Sequence, residues 1–591
     1  MRIHIKQSLI LFCAVLMLAS CTKNLEQTPV STADKNAVFS SEDGLKLYTY
    51  SFYNILPDIN TPFRTDCNLS DYGAINAVPT YIGQNTFNSR LSTGWTWTDL
   101  RNINYFIVNC NNPGVQQTIR ENYIGLARFF RAYFYFEKVK RFGDVPWYNT
   151  PLNADDTAAL YKGRDSRTLI MDSVVADLDY AADHITLTDD ATRSLITKWV
   201  VLGFKSRVCL FEGTFRKYQT SYNLQSTADA FLQKAADAAQ LVMASGKFSL
   251  NTSGGNLAYR NLFISSGPVT SEIMLADVTS TSLAKYNDAN WYFTSATYGV
   301  RFNFTRTFIN TYLKLDGTPF TGDEAYKTTP FVEEVKNRDL RLQQTIRTGN
   351  YKRISSGKEI AGPPVFSYTY TGYQPIKWCL DDMYYDGGSL NTNSVSLMRY
   401  AEMLLNYAEA KAELGTLTSD DWKATIGALR SRAGITGGLT SLPNTVDTYL
   451  QSNYFKDISD PVILEVRRER GIELTLEGFR FADLTRWKHG ELLLQPWNGM
   501  YVPSLDTPMD LNGDGVMDAY FYTTSTVPDQ YKSIAVNVAA DPQRLTNGTS
   551  GEILWLNNIA REWFDYKYLN PIPYSDLQLN PRLGQNTGWV D

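Results

Sequence analysis

Residues 129–136 read Phe-Phe-Arg-Ala-Tyr-Phe-Tyr-Phe and lie at the centre of a helical pattern that runs from 118 to 141. Apolar and aromatic side chains cover almost the whole circumference of this helix, which indicates that it packs against neighbours on more than one side. Gly143 and Pro146 follow the pattern and mark where the helix ends. A long helix that is buried on several sides predicts a fold built mainly from packed helices.

The segments around this helix continue the pattern in pairs. Apolar periodicity predicts further helices at 97–111, 168–184, 192–213 and 226–245. A later helical face, which ends at Gly415, is marked by Leu397, Ala401, Leu404, Leu405, Ala408 and Ala412. Helix pairs joined by short turns are similar to the tetratricopeptide pattern, in which stacked units bury faces that one unit could not bury alone.

Between and beyond these helices, Gly, Thr, Tyr and Pro replace the helical periodicity. Residues 57–94, 247–396 and 495–591 are therefore predicted to form a large, irregular, loop-rich region with a few short strands. The tetratricopeptide-like scaffold is predicted over about 39–246 and 397–490. The predicted fold class is mainly α, with a helical scaffold on one side and a loop-rich face on the other.

The N-terminal residues predict export. Arg2 and Lys6 precede an unbroken apolar run from Leu9 to Ala19, which is shorter than the roughly 20 residues that a membrane-spanning helix needs. A basic start, a short apolar core and small residues before a cut are typical of a signal peptide, here residues 1–20. Because Leu-Ala-Ser is followed by Cys21, we expect a lipoprotein signal with lipid attached at Cys21. The alternative is an ordinary secretory signal with a chance cysteine. The polar residues 21–38 are predicted to form a flexible tether.

Composition excludes several functional classes. The net charge of −5 and the lack of long Lys/Arg runs argue against a nucleic-acid partner. After the signal no apolar run is long enough to span a membrane, so contact with the membrane is expected through the N-terminal lipid only. His184 and His489 are the only histidines beyond the signal, which leaves little material for histidine-based catalysis.

The remaining cysteines do not form a metal or redox motif. They are widely spaced and contain no C-x-x-C pair; they are Cys67, Cys110, Cys209 and Cys379. Cys110 and Cys209 lie in helical patterns and are predicted to be small core residues. The sequence leaves the disulfide status of all four open.

Aromatic residues make up 13% of the chain and supply the candidate ligand-binding groups. Aromatic rings on loops stack on flat ligands such as sugar rings. The candidates, with polar groups that could bind hydroxyls, are Tyr72, Tyr81, Arg90, Trp95, Asn290, Trp291 and Tyr292. The alternative for each aromatic residue is packing within its loop. Trp97 opens a helix and is predicted to belong to the core.

One loop has the pattern of a calcium site. The oxygen-bearing residues Asp510, Asn512, Asp514 and Asp518 occupy positions 1, 3, 5 and 9 of an EF-hand loop, with the backbone of Val516 at position 7. Position 12, which should hold a bidentate Glu, is Phe521. Structural Ca²⁺ and an acidic turn without metal both remain open, and no other cofactor is expected.

Residues 465–486 are the most charged helical segment. Opposite charges three residues apart predict a ladder of salt bridges, namely Glu465–Arg468, Arg470–Glu473, Glu477–Arg480 and Asp483–Arg486. Such pairs keep carboxylates ionised, so we interpret this segment as structural rather than catalytic.

Several segments resemble, in order, the SusD/RagB family of outer-membrane lipoproteins of Bacteroidetes. They are RAYFYF at 131–136 with RFGDVP at 141–146, FEGTFRKY at 211–218, MRYAEMLLNYAEA at 398–410, EVRRER, EGFR and DLTRW within 465–487, and LNPIP at 569–573 with NP at 580–581 and QN at 585–586. The resemblance implies a single domain over 39–591 that binds ligand without cleaving it.

The resemblance also implies a role at the cell surface. Members of the family are tied to the outer membrane by lipid, face the cell exterior and cap a TonB-dependent, SusC-like transporter for which they capture oligosaccharides, or peptides in some branches. The alternatives of another class are a lipid-anchored glycoside hydrolase, which needs two carboxylates across a cleft, and a periplasmic scaffold that binds protein. The family's ligand loops vary, so the resemblance assigns no binding residue.

Overall fold

The computed structural model describes residues 35–295 and 299–590. The predicted signal peptide, Cys21 and most of the predicted tether lie outside the described residues. Within the described ranges no helix is both long and apolar enough to cross a membrane.

The N-terminal half of the described chain is a succession of helices. Their bounds are α1 (Lys35–Phe39), α2 (Glu42–Thr49), α3 (Thr61–Asn68), α4 (Thr98–Asn109), α5 (Gln117–Phe142), α6 (Thr157–Leu160), α7 (Arg167–His184), α8 (Lys198–Tyr218) and α9 (Ala228–Ala244). The predicted helices α4, α5, α7 and α9 are confirmed to within two residues at each end. Helix α8 begins six residues later than predicted, because Asp190 accepts the N–H groups of Ser194 and Leu195 and Thr197 caps the helix.

The later helices are shorter, and many of them lie within the loop-rich region. They are α10 (Ala258–Ile264), α11 (Ala289–Thr294), α12 (Arg306–Ile309), α13 (Phe331–Glu334), α14 (Leu340–Thr345), α15 (Tyr400–Glu413), α16 (Ser419–Trp422), α17 (Ala428–Arg432), α18 (Thr448–Asn453), α19 (Pro461–Glu473), α20 (Arg480–Trp487) and α21 (Tyr574–Leu579). A π-helical turn at Lys423–Gly427 joins α16 to α17. The 3-10 helices are Tyr50–Ile55, Thr220–Tyr222, Gln225–Thr227, Gly255–Leu257, Phe320–Gly322, Glu324–Thr328, Met383–Gly387, Gly490–Leu494, Asp529–Ile534, Asp565–Tyr568 and Pro581–Leu583.

The strands are short and form small separate sheets. They are β1 (Gly73–Ala74), β2 (Ile273–Asp277), β3 (Asn303–Phe304), β4 (Lys352–Ser355), β5 (Lys358–Ala361), β6 (Val395–Arg399), β7 (Asn498–Val502), β8 (Pro508–Met509), β9 (Ala519–Tyr522), β10 (Ala535–Asn537), β11 (Gln543–Leu545) and β12 (Gly551–Trp555). The sheet orders are β1-β3, β2-β6, β4-β5, β10-β9-β8 and β11-β12-β7. The fold is therefore mainly helical with a few short strands, as predicted.

The scaffold helices pack in the order of the chain. Helix α5 lies between α4 and α7, α7 contacts α8, and α8 contacts α9; α15 then packs on α9, and α19 on α15. Helix α5 carries buried side chains around most of its circumference, which is why it can have neighbours on both sides. The stack places the C-terminal helices beside the N-terminal ones although 155 residues separate α9 from α15 in the chain.

The described residues form two large hydrophobic cores. The first lies among the scaffold helices and includes Phe130 and Phe204. The second lies in the loop-rich region and includes Phe302 and Trp378. Cys110 and Cys209 are buried in the scaffold core as predicted, and all four described cysteines are free thiols.

The charged segment 465–486 is not one helix. It breaks between α19 and α20, where Leu476 and Gly478 take the left-handed conformation with φ of 58° and 85°. The ladder pairs Glu465–Arg468 (2.7 Å) and Asp483–Arg486 (2.9 Å) are confirmed.

The other two ladder pairs are wrong, because their arginines pair with carboxylates of other elements. Arg470 pairs with Asp483 at 2.9 Å instead of Glu473. Arg480 pairs with Asp71 instead of Glu477.

The charges of this segment are buried in a network rather than exposed on a surface. Glu473 contacts Arg399 at 2.6 Å and Arg341 at 2.8 Å, and it also pairs with Arg432. Burial alone would raise the pKa of the Glu473 carboxyl, but these three arginines hold it well below its usual range. The carboxylate is therefore ionised, in agreement with a structural role.

Candidate functional site

An aromatic cleft of about 520 Å³ opens at the N-terminal end of α4. Its walls carry the rings of Trp95, Trp97, Tyr148 and Tyr161. Tyr161 is 46% exposed, and both tryptophans are half-buried. We call this the aromatic cleft. Its volume and its apolar walls are those of a site for a small organic ligand.

The segment 94–97, which leads into α4, positions the tryptophans. Trp95 and Trp97 line the aromatic cleft, whereas Gly94 and Thr96 line a second groove on the opposite side of the segment. Successive residues of the segment thus line different spaces. The segment therefore forms a thin wall between two ligand-sized spaces.

Packing fixes the two rings. The Trp95 ring meets Phe142 edge-on at 5.0 Å and Trp97 at 5.4 Å. Trp97 is the N-cap residue of α4, so it opens a helix as predicted, but it lines the cleft as well as contacting the core. Sequence reasoning missed its place in the site, because periodicity does not show on which side of a helix start a cavity lies.

Polar groups stand at the rim of the aromatic cleft. Asp576 of α21 is the only carboxylate among the described residues that line it. Burial raises the pKa of the Asp576 carboxyl. The indole N–H groups of Trp95 and Trp97 donate no hydrogen bond to any described residue. These groups are available to a ligand that offers hydroxyl groups.

Of the candidates from the early loop, Tyr72 and Tyr81 are not available to a ligand. Tyr72 is 1% exposed, and its hydroxyl accepts the N–H of Leu476. Tyr81 is buried and donates to the carbonyl of Lys567 at 2.5 Å. The predicted exposure of these two rings is wrong, because the loop folds back onto the C-terminal segments and both rings fill cores there.

Arg90 is exposed, and its guanidinium lies over the ring of Tyr574 at 3.8 Å. Tyr574 is the first residue of α21, the helix that supplies Asp576 to the cleft. The structure therefore places Arg90 and Trp95 on neighbouring parts of one surface.

The candidates of the second group, in and next to α11, divide into buried and half-buried residues. Asn290 is fully buried; its amide donates to Leu380 O and to Asp386 at 2.9 Å. Tyr292 is also buried, with the Arg64 guanidinium 4.9 Å from its ring. Their predicted exposure on a loop is wrong, since both side chains are buried and hold the surrounding loops together. Trp291 is half-buried.

Other accessible aromatic residues of the loop-rich region were not predicted. Tyr384, which is 68% exposed, meets Tyr385 edge-on at 5.3 Å in the 3-10 helix that Asn290 anchors. Tyr370 stacks flat on Trp555 at 3.7 Å. No periodic pattern marks these residues in the sequence, and only the tertiary structure brings each pair together.

The predicted calcium loop is held by its own backbone. Asp510 accepts the N–H groups of Gly513 (2.6 Å) and Gly515 (2.8 Å), and Asp518 accepts the N–H of Leu511. Burial, together with the charges of Asp510 and Asp514, raises the pKa of Asp518 to about 6. Within residues 35–295 and 299–590 no group of three or more His, Cys, Asp or Glu side chains is arranged to hold a metal ion.

The SusD family model matches residues 255–589, more than half of the chain, and the protein belongs to the SusD family. SusD-like protein P25 of Formosa agariphila is 24% identical over 215 residues, 33% of this chain, and the match spans 40% of that relative's length. SusD-like protein P2 of the same organism is 25% identical over 400 residues, 65% of this chain and 68% of the relative.

Solved structures share the fold. A SusD-like carbohydrate binding protein from Bacteroides fragilis is similar to this chain with a TM-score of 0.65. The superposition covers 92% of this chain and 99% of that protein at 22% identity. The mainly helical architecture is therefore that of SusD-like proteins.

Proposed function

We propose that this protein is a non-enzymatic nutrient-binding lipoprotein of the outer membrane that captures oligosaccharides in the aromatic cleft. It passes them to a partner TonB-dependent transporter of the SusC type. Membership of the SusD family supports the role, and the similarity to a SusD-like carbohydrate binding protein of B. fragilis supports the ligand class. The observation that carries the proposal is the cleft itself.

The chemistry of the aromatic cleft suits a sugar. Pyranose rings present C–H faces that stack on aromatic rings, and hydroxyl groups that need donors and acceptors. Trp95, Trp97 and Tyr161 supply the rings, while the indole N–H groups and Asp576 supply hydrogen bonds. A cleft of about 520 Å³ lies within the ordinary range for small-ligand sites.

The distribution of carboxylates favours binding over hydrolysis. A glycosidase needs two carboxyl groups across the bond that it cleaves, and the aromatic cleft offers Asp576 alone among its described lining residues. The carboxylates of the charged segment are engaged with arginines, as Glu473 is. They are not poised to protonate a leaving group.

The N-terminal sequence and membership of the SusD family support the proposed anchorage and location. Lipid on Cys21 and the tether that follows would hold the domain at the membrane and leave it free to move as a lid over the transporter. Facing the cell exterior, the domain would meet glycans before the transporter does.

The experiment is a binding screen of the purified domain against neutral and acidic oligosaccharides and against peptides, by titration calorimetry. We expect saccharide binding that falls about tenfold or more in Trp97→Ala and Trp95→Ala, because each change removes a stacking ring. Tyr384→Ala, which alters an exposed ring elsewhere, is the matched control. Reducing ends are measured in the same samples.

Three results would count against the proposal. New reducing ends would identify a hydrolase. Binding of peptides but not saccharides would move the protein to the peptide-binding branch. Loss of saccharide binding in Tyr384→Ala, with both tryptophan variants unchanged, would place the site on the 3-10 helix Met383–Gly387 instead.

A further inference from the structure

The groove on the other side of the Gly94–Trp97 wall has a different character. Its volume is about 500 Å³, and helix α5 contributes Lys138, Lys140 and Arg141 to its lining. We call this the cationic groove. It shares one wall with the aromatic cleft, so a ligand that reaches over that wall would contact both.

Arg141 is half-buried and lacks the acidic partner that the buried arginines of this chain usually have. Arg131 pairs with Asp177 and Arg480 with Asp71, each at 2.7 Å. No described carboxylate lies within 4.0 Å of the Arg141 guanidinium. Its Nη2 donates to the Thr93 hydroxyl at 3.1 Å, and its Nε is buried with no hydrogen-bond partner among the described residues.

Lys138 lies one turn before Arg141 on the same face of α5. Its side chain is buried, and its Nζ donates to the carbonyl of Gly94 and stands 4.9 Å from the Phe134 ring centroid. No described carboxylate lies within 4.0 Å of this ammonium either. Burial and the neighbouring charge of Arg141 lower the pKa of Lys138 to about 8. Two adjacent cations without a direct ion-pair partner repel each other, which is unfavourable for the fold.

The acidic residues of the groove do not neutralise this pair. Glu137 is bound to Lys140 at 2.8 Å. Asp99 is exposed at the start of α4, beyond ion-pair distance of Lys138. Asp99, Asp576 and Glu137 act on Lys138 only from beyond ion-pair distance. Among the described residues, Lys138 and Arg141 are therefore the cations of the groove without a direct ion-pair partner.

Gly94 allows the wall to lie against the guanidinium. It takes the left-handed conformation with φ of 90°, and a Cβ there would stand 2.7 Å from Arg141 Nη1. The backbone carbonyl of the same residue accepts the Lys138 hydrogen bond. The segment 94–97 thus contacts both Lys138 and Arg141 on one side. The other side of the two cations faces the cationic groove, where a ligand would bind.

We propose that the cationic groove binds the anionic group of an acidic saccharide, a uronate carboxylate or a sulfate ester, through Arg141 and Lys138. Guanidinium binds both groups with paired, charge-assisted hydrogen bonds. The saccharide part of this inference rests on the proposed function, with the neutral part of the chain held in the aromatic cleft.

The test compares matched oligosaccharides by calorimetry: trimers of galactose, of galacturonic acid and of sulfated galactose. Inorganic sulfate is titrated separately and followed by thermal melting. The variants are Arg141→Gln, which removes the charge, and Arg141→Lys, which keeps it. Lys140→Gln, whose partner is Glu137, is the control in the same groove.

We expect at least one acidic trimer to bind about tenfold or more tightly than the neutral one, and this preference to fall with salt. Arg141→Gln should abolish the preference for the acidic trimer and leave binding of the neutral trimer unchanged. Arg141→Lys should retain part of the preference, and Lys140→Gln should retain most of it. Comparison of the galacturonic acid trimer with the sulfated galactose trimer shows whether the groove binds a carboxylate or a sulfate ester.

The remaining outcomes separate failure of the anion site from failure of the proposed function. Equal binding of neutral and acidic trimers, or a preference that survives Arg141→Gln, overturns the inference and leaves the proposed function standing. If no trimer binds but sulfate still stabilises the wild type and not Arg141→Gln, the proposed function fails and the anion site stands. If neither trimers nor sulfate bind, both are overturned.

Discussion

Arg480 and Asp71 form a buried, bidentate ion pair, in which Nε and Nη2 of the arginine each lie 2.7 Å from a carboxylate oxygen. The two residues are 409 positions apart in the chain. The pair ties the loop before the aromatic cleft to helix α20 of the charged segment. Asp66 strengthens the same junction, because its carboxylate accepts the backbone N–H groups of Gly478 and Arg480.

Removal of the Asp71 charge should destabilise the domain strongly. Asp71→Asn leaves Arg480 charged and without its partner, and breaking a buried ion pair costs about 3–5 kcal/mol. Urea unfolding measures the free energy of unfolding. Asp529→Asn, which breaks the exposed Asp529–Lys532 pair, is the control and should change it by less than about 1 kcal/mol. Equal effects of the two changes would contradict the importance of this junction.

The buried network should make stability fall in acid. Burial alone would raise the pKa of Glu409, but Arg486, Arg470 and the Trp487 N–H lower it from 4.5 to about 2. Because the folded pKa lies below the unfolded one, this contribution is fully present above pH 4.5 and is lost as the pH falls toward about 2.

Glu409→Gln should therefore lower stability at pH 7 and flatten the fall in urea midpoint between pH 5 and pH 2, roughly the window in which such a paired carboxylate titrates. The matched control is Glu324→Gln at an exposed pair with Lys327, which should leave the acid slope unchanged. An unaltered acid slope in Glu409→Gln would show that other carboxylates carry the pH dependence.

The loop 510–518 stays a predicted calcium site. Burial raises the pKa of Asp518, and the charges of Asp510 and Asp514 add to this effect; a divalent cation would offset the repulsion from those two charges. We expect Ca²⁺ at 100 times its Kd to add about 2.7 kcal/mol of stability.

The Asp510→Asn/Asp514→Asn double variant should lose this effect, and EDTA should reverse it in the wild type. Thermal melting with calcium, magnesium and EDTA is the measurement. A melting temperature that does not respond to millimolar calcium would identify an acidic turn without metal. Phe521, at the position of the missing Glu, is buried against Phe366, so it supplies no ligand in either case.

The anchor at Cys21 is tested in cells that express the full chain. Cys21→Ser should move the protein from the membrane fraction to the soluble fraction, because it removes the thiol that would carry lipid. Cys13→Ser, within the apolar run, is the control and should stay membrane-bound. Protease added to intact cells should digest the wild type if it faces outward. Membrane association that survives Cys21→Ser would contradict the anchor.

The sequence by itself determined the helical scaffold. The apolar pattern around Phe129–Phe136 and the stop at Gly143 predicted α5 almost to the residue, because helix periodicity and caps are local properties. The loop-rich region was likewise evident from its lack of periodicity. The charged segment was predicted as structural, and its buried arginine partners agree.

Only the tertiary structure decided which residues face a ligand. Tyr72 and Tyr81 have the same local sequence character as Trp95, yet the first two fill cores and the third lines a cleft. Burial depends on what the rest of the chain packs against a residue, and these contacts come from segments hundreds of positions away. For the same reason the partners of Arg470 and Arg480 could not be found by spacing. Local patterns determined the helices of this protein, and long-range packing decided its surface.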